Sequence, residues 1–374
     1  MAGKKNTSKP LVWLVCRELG YVNRGFEQYT LGLVRLLQQH NSFSITVAGG
    51  GALSDTGFSY FKVPLGRFLP FRKNFRWQQR LFVLAMAPSI LLYQPRLLYV
   101  GEYGVYTLLW HLRRLLKLKY SLTLYTGGQA VPASRVFHPL LDYVHHVTPA
   151  YWEKCVHLPA NRQFVLPHFV NNDFVYNEKV QHEIRQLAGN KKIVLSVGLI
   201  DRTVKQMDKL IEAISIDTDK WFPVLLGQTN YETPEVISLL NKKFGKGGYL
   251  TDTIPHQQLG NWYAAADVFV CCSPNESFGL AMLEAVYHGL PCVVHDFFET
   301  RWVLKAFARR VNVNDPQMLL DAIQTAVDTD DAVKQKTRTN FVEQNYSLKA
   351  IGAAYHQSFE RMVKNEVFTA SVNY

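Results

Sequence analysis

Residues 273–294 read SPNESFGLAMLEAVYHGLPCVV. The segment opens on a Ser-Pro-Asn loop, passes through Phe278-Gly279 into an apolar helical run, and stops at Gly289-Leu290-Pro291 before a β-like stretch. Glu276 stands in the loop and Glu284 inside the run. The first amides of a helix lack intrahelical acceptors and attract anions, and Gly279 lets a phosphate approach them closely. Glu284 lies five residues beyond Gly279, about 7.5 Å along the axis at 1.5 Å per residue, roughly the separation of a diphosphate from the outer ribose hydroxyls of a nucleotide. Glu276 falls on the other side of the phosphate position, where a sugar would sit. Two carboxylates flanking an amide-lined anion hole describe a clamp for a nucleotide sugar.

Outward from this stretch, short β-like runs alternate with helix-length amphipathic segments. LVWLVC (11–16), FSITVA (43–48), RLLYV (96–100), SLTLYT (121–126) and QFVLP (163–167) are separated by helical stretches such as 26–39 and 105–117. A second series follows through KIVLSVG (192–198), FPVLLG (222–227), DVFVCC (267–272) and PCVVHD (291–296). This is the pattern of parallel α/β units. A chain of 374 residues also exceeds what one hydrophobic core serves. The expectation is an α/β protein of two Rossmann-like domains, 1–170 and 171–346, joined near LPHFVNNDF (166–174). A last helix, 347–374, has no strand after it and is expected to pack outside the second sheet, back on the first domain.

Composition is that of a globular chain, 48% hydrophobic and 19% charged. The five cysteines are odd in number and form no Cys-x-x-Cys, which disfavours a disulfide framework or a zinc site and fits buried thiols in a reducing cytoplasm. The polar, basic first ten residues and the short apolar run after them match neither a signal peptide nor a membrane span. Leu81 to Tyr93, interrupted by Pro88, is read as a buried helix. Charge is distributed unevenly: residues 1–170 carry 20 Lys and Arg against 6 Asp and Glu, residues 171–374 carry 21 against 24. Such asymmetry points to an anionic partner of the first half.

The Glu276-x7-Glu284 pattern, following WYAAADVFV, resembles the donor site of retaining glycosyltransferases of family 4 with the GT-B fold. The resemblance implies two Rossmann-like domains facing each other across a cleft, and a sugar transferred from a nucleoside-diphosphate donor to an acceptor hydroxyl. It implies that Glu276 and Phe278 to Leu280, with Ser277 and Gly279 between them, meet the donor sugar and diphosphate, and that Glu284 holds the ribose. VGLIDRTVKQMDKLIEA (197–213) is similar to the family's strand, loop and helix that begin at Gly198 and whose lysine, here Lys205, holds the diphosphate. The family's arginine six residues before that lysine is replaced by Leu199, and Arg202 is the candidate substitute. YLTDTIPHQQLGNWYAAADVF (249–269) matches the segment lining the base pocket, which puts Leu250 and Thr251 beside the base.

In the first half, NRGFEQYTLGLVRLL (23–37) looks like the family's Gly-Gly loop and first helix, with Arg24 for the first glycine and Gly25 as the second. YTGGQAVP (125–132) stands where many members carry a histidine near the reacting carbon, so Gly127, Gly128 and Gln129 become the residues facing acceptor or sugar. No cofactor beyond the donor and no essential metal is expected: the Asp-Thr-Asp at 217–219 reads as a solvated turn. Of the adjacent His145 and His146, strand alternation predicts one buried and one exposed.

GRFLPFRKNFRWQQRLF (66–82) interleaves Arg67, Arg72, Lys73, Arg76 and Arg80 with Phe68, Phe71, Phe75 and Trp77. Such a mixture suits nucleic acid through phosphate contacts and stacking, or a membrane interface. With no nucleic-acid motif in the chain, the expectation is an anionic membrane surface, with a protein of the cytoplasm working at the inner face of the membrane in polysaccharide biosynthesis. The acceptor is expected to be a glycan, glycolipid or lipid phosphate, and the donor base uracil first and guanine second. A nucleotide-sugar epimerase on the same scaffold, and a catalytically silent partner subunit, are the alternatives.

Overall fold

The computed structural model describes residues 9–21, 25–53, 57–63, 75–127, 141–155, 157–171 and 173–368. They divide into two compact units, one within Met1–His168 and Ile351–Tyr374, the other within Phe169–Ala350. Each is an all-parallel sheet with helical crossovers, the Rossmann-like architecture expected from the alternating runs.

The first unit strings together β1 (Leu11–Cys16), α1 (Gly25–Gln39), β2 (Ser44–Gly49), β3 (Ser59–Lys62), α2 (Phe75–Tyr93), β4 (Leu97–Val100), α3 (Tyr103–Leu115), β5 (Ser121–Tyr125), β6 (Tyr143–His146), α4 (Pro149–Glu153) and β7 (Gln163–Val165). Its sheet runs β3-β2-β1-β4-β5-β6-β7. The order reverses between β1 and β4, which pair in register Val12 to Leu97 through Val15 to Val100. Val12, Leu98, Val100, Leu122 and Val144 are buried in its core. Near-continuous apolar strands are what a sheet covered on both faces requires.

That coverage corrects the expectation for the histidine pair. His145 and His146 do point to opposite faces, but β6 is an interior strand and both are fully buried. His145 donates from Nε2 to the Leu166 carbonyl at 2.9 Å and accepts at Nδ1 from Tyr99 Oη at 2.5 Å. Tyr99 is in turn 2.9 Å from Tyr29 Oη. His146 donates from Nε2 to Gln163 Oε1 at 2.8 Å, the amide being oriented by its own bonds to the Cys155 and Leu158 carbonyls. His168 pairs with Tyr125 Oη. Each of these bonds forms with a neutral imidazole.

The stretch 81–93 is also corrected. It is the latter part of α2, and only one side is buried, through Phe82, Val83, Met86 and Ile90. Leu84 and Leu92 are 66% and 73% exposed, because the i, i+4 stripe from Arg76 through Arg80, Leu84 and Pro88 faces away from the sheet.

The second unit contains α5 (Glu178–Ala188), β8 (Lys192–Val197), α6 (Met207–Ile214), β9 (Trp221–Leu226), α7 (Thr233–Phe244), β10 (Leu250–Asp252), α8 (Leu259–Ala265), β11 (Val268–Cys271), α9 (Leu280–Tyr287), β12 (Cys292–His295), α10 (Phe298–Leu304), β13 (Arg309–Val311), α11 (Pro316–Asp328) and α12 (Ala332–Tyr346). Its sheet runs β10-β9-β8-β11-β12-β13 and reverses between β8 and β11. The final helix, α13, spans Leu348–Lys364, and its Tyr355 donates to the Pro167 carbonyl at 2.9 Å within the first unit. All five cysteines are buried, and none is joined in a disulfide among the described residues.

Burial pushes His145 and His168 down to about 3 and His146 down to about 4. The unfolded chain protonates them near the ordinary value of about 6.5, so between those limits it binds more protons than the native state. Stability is therefore lost as pH falls through this window, by up to about 1.4 kcal/mol per pH unit for each histidine. The thermal midpoint should decline steadily below about pH 6.5. A midpoint that stays level from pH 7 to about pH 4.5 would contradict neutral burial of the three rings.

Candidate functional site

The carboxyl ends of β8 and β11 stand side by side at the strand-order reversal of the second unit, where open α/β sheets bind ligands. After β8 the chain turns at Gly198, whose φ is +153°, and a Cβ there would lie 2.6 Å from Lys205 Cε. Glycine is needed so that the lysine chain can lie across the backbone. The loop back to α6 is held by the buried Asp201, whose Oδ1 accepts the amides of Val204 at 3.2 Å and Lys205 at 2.7 Å, while its carbonyl accepts the Met207 amide at 3.0 Å. Asp201 Oδ2 has no hydrogen-bond partner among the described residues. Burial raises the Asp201 carboxyl above the usual carboxylate range.

So positioned, Lys205 Nζ forms an ion pair with Glu276 Oε1. Glu276 comes from the loop after β11, and Cys271 Sγ lies 3.9 Å from the same carboxylate oxygen and 3.4 Å from Ser273 Oγ. Burial alone would lower the lysine, but Glu276, with Cys271 and Asp201 adding to it, more than offsets this and holds Lys205 above its ordinary value. The amine stays charged and largely shielded from water, with 20% of its side chain exposed.

From Glu276 the chain passes through half-buried Ser277 and buried Phe278 to Gly279, which caps α9 with φ +82°. The positive φ at Gly279 favours glycine, and a Cβ there would fall 1.9 Å from Met282 Cε, the movable end of that side chain. The first bond of the helix runs from the Leu283 amide to the Gly279 carbonyl at 3.1 Å, which leaves the amides of Leu280 and Ala281 ahead of the intrahelical ladder. Glu284, one turn on and buried, accepts from His256 Nε2 at 2.8 Å on Oε1 and from Tyr263 Oη at 2.9 Å on Oε2. Burial, and then the adjacent carboxylate, raise Tyr263 far above its ordinary value, which keeps the phenol a donor.

Glu276, Lys205, Gly198, Ser277, Phe278, Gly279, Leu280 and Glu284 thus belong to one patch of the second unit. Leu250 and Thr251 lie on the edge strand β10, half-buried, paired with Val224 and Leu225 of β9. Arg202 is directed elsewhere: its guanidinium pairs with Glu235 at 2.6 Å and Asp208 at 3.5 Å in an exposed network, and its amide donates to Glu232 at 2.9 Å. In the first unit, Gly25 opens α1 and Gly127 follows β5 with φ +56°. Arg76 and Arg80 are exposed on α2, Arg80 lying 5.0 Å over the Trp77 ring. Gly128, Gln129, Arg67, Arg72 and Lys73 lie outside the described residues.

Three participants were not read from the sequence: Asp201, His256 and Tyr263. Each lay inside a quoted motif, but nothing in local spacing shows that a histidine in a one-turn helix and a tyrosine in α8 reach the same carboxylate. No group of three or more His, Cys, Asp or Glu that would hold a metal occurs among the described residues.

Residues 177–348 match the family model of glycosyl transferases group 1. Mannosylfructose-phosphate synthase of Agrobacterium fabrum is 30% identical over 140 residues, 33% of this chain and 30% of that protein, so the match spans less than a third of the relative's length. Among solved structures, sucrose-phosphate synthase from Thermosynechococcus elongatus superposes with TM-score 0.79 at 18% identity over 95% of this chain and 100% of that one. Anabaena HepE in complex with UDP-glucose gives 0.74 at 13% identity over 94% and 99%. The fold is that of the GT-B glycosyltransferases.

Proposed function

We propose that the protein is a retaining glycosyltransferase that moves a sugar from a nucleoside-diphosphate donor, UDP in first place and GDP in second, to a hydroxyl of a glycan, glycolipid or lipid-phosphate acceptor. The observation that carries this reading is the Lys205–Glu276 pair beside the free amides at the start of α9, with Glu284 one turn beyond. The UDP-glucose complex of the structurally similar Anabaena protein supports a nucleotide sugar of this kind. In the proposed complex the diphosphate rests on the Leu280 and Ala281 amides and exchanges the lysine away from Glu276. Glu284 accepts the ribose hydroxyls, and Glu276 accepts hydroxyls of the donor sugar. Bond breaking at the anomeric carbon places charge on the departing diphosphate, and Lys205 with the helix amides stabilises it there without a metal. Glu276 is occupied as an acceptor, so the departing phosphate oxygen itself takes the proton of the incoming hydroxyl on the same face, which retains configuration.

Losing a hydrogen bond to a charged group costs about 1.5–3 kcal/mol, and about 1.4 kcal/mol is a tenfold change in rate. Glu276→Ala should therefore lower sugar transfer by about tenfold or more, measured with radiolabelled donor. Undiminished transfer from the true donor, or conversion of the donor to its epimer with no acceptor present, would overturn the reading.

The place of action proposed is the inner face of an anionic membrane. No helix of the described residues is long and apolar enough to cross a membrane. What supports peripheral binding is the outward stripe of α2, where Arg76 and Arg80 are followed by exposed Leu84, Leu91 and Leu92. Leu115, 79% exposed at the end of α3, adds a further apolar group on the same unit. Each basic residue near an anionic leaflet contributes about 1 kcal/mol, screened by salt. The protein should float with anionic liposomes at low salt and not with neutral ones, and replacing Arg67, Arg72, Lys73, Arg76 and Arg80 by glutamine should abolish flotation while nucleotide binding persists. Equal flotation with both vesicle types, or none at low salt, would remove the membrane from the account.

A further inference from the structure

The first unit has its own strand-order reversal, between β1 and β4, and a second polar cluster stands there. Arg17 directly follows β1 and is 7% exposed. Its Nε lies 3.1 Å and 3.0 Å from the two carboxylate oxygens of Glu102, which follows β4. Nη1 donates to Gln78 Oε1 at 3.0 Å, and Nη2 lies 2.5 Å from Glu18 Oε1. That last contact is charge pairing without hydrogen-bond alignment, so Nη2 retains unused donor capacity among the described residues. Gln79, buried against Gly104, donates to Glu102 Oε2 at 3.0 Å. Phe75 covers the guanidinium at 4.7 Å and is itself 56% exposed.

Two features set this cluster apart from an ordinary structural ion pair. Glu102 occupies the N-cap position of α3, yet its carboxylate makes no capping bond and is turned onto Arg17 and Gln79 instead. A buried ion pair is weak as a source of stability, because desolvation cancels most of its attraction. The cluster also occupies the position where open α/β sheets take ligands, at the carboxyl ends of the two strands flanking the reversal.

From this geometry we infer a subsite for a neutral sugar ring of the acceptor, formed by Arg17, Glu18, Glu102, Gln78 and Phe75; the inference rests on the glycosyltransferase reading and narrows its acceptor. Vicinal hydroxyls both donate and accept, and a carboxylate, a carboxamide and a guanidinium held in fixed orientation match them. The apolar face of a pyranose ring suits an exposed aromatic such as Phe75. Among the described residues the cluster sets one guanidinium against two carboxylates, and that excess of negative charge favours hydroxyls and disfavours a phosphate.

The test is saturation-transfer NMR on the full chain with glucose, galactose, N-acetylglucosamine and glucose 6-phosphate as probes, with UDP binding followed in parallel. The expected result is transfer to at least one neutral sugar, stronger than to glucose 6-phosphate, and reduced about fivefold or more in Glu102→Gln with UDP binding retained. Phe75→Ala, at an exposed position, provides the same readout if Glu102→Gln does not fold. Absence of signal from every neutral sugar, signal unchanged in folded variants, or preference for the phosphate would overturn the subsite. Failure of UDP to bind while the sugars do would instead fault the glycosyltransferase reading and leave a sugar site standing.

Discussion

The arrangement of the second unit depends on the ion pair between Lys205 and Glu276. A lysine and a glutamate, each with only a fifth or less of its side chain exposed, stand as one another's counter-ion. Everything nearby serves to bring them together. Gly198 removes the side chain that would obstruct the lysine, Asp201 ties the loop that carries it, and the β8–β11 reversal sets the two loops side by side. A pair assembled this way is costly to separate in a dry interior but is easily exchanged for another anion, since a diphosphate can replace the carboxylate as the partner of the lysine.

Both units place buried charge at the same topological position and differ in its sign. In the second, a lysine and helix amides favour an anion; in the first, two carboxylates around Arg17 favour hydroxyl groups. In the Tyr29, Tyr99 and His145 chain of the first unit, the hydrogen bonds form between neutral side chains and a backbone carbonyl. This contrast separates polar groups that complete a core from those that remain available to a ligand.

Much of this was legible in the sequence, for reasons that differ by element. The interior strands β1, β4, β5, β8, β9, β11 and β12 announce themselves as apolar runs because both faces of a parallel sheet are covered. Of the four edge strands, β7 shows as the run QFVLP, whereas β3, β10 and β13 are three or four residues long and carry polar or charged positions such as Arg309 and Arg310, so no run marks them. β6 is interior yet reads Tyr-Val-His-His, and its histidines are bonded by Tyr99, Gln163 and the Leu166 carbonyl, partners outside the strand. Glu276, Gly279 and Glu284 were legible because one loop and one helix turn fix their spacing. Their supports, Asp201, His256 and Tyr263, and the Arg17–Glu102 pair, meet only through the sheet, which a linear pattern does not display.

The start of α9 and Lys205 are proposed to hold a nucleoside diphosphate. A crystal structure of the complex with UDP or GDP tests it most directly. The expected complex has the diphosphate against the amides of Leu280 and Ala281, Lys205 Nζ moved from Glu276 to a phosphate oxygen, and ribose hydroxyls on Glu284. A nucleotide bound elsewhere with the Lys205–Glu276 pair unbroken would contradict it.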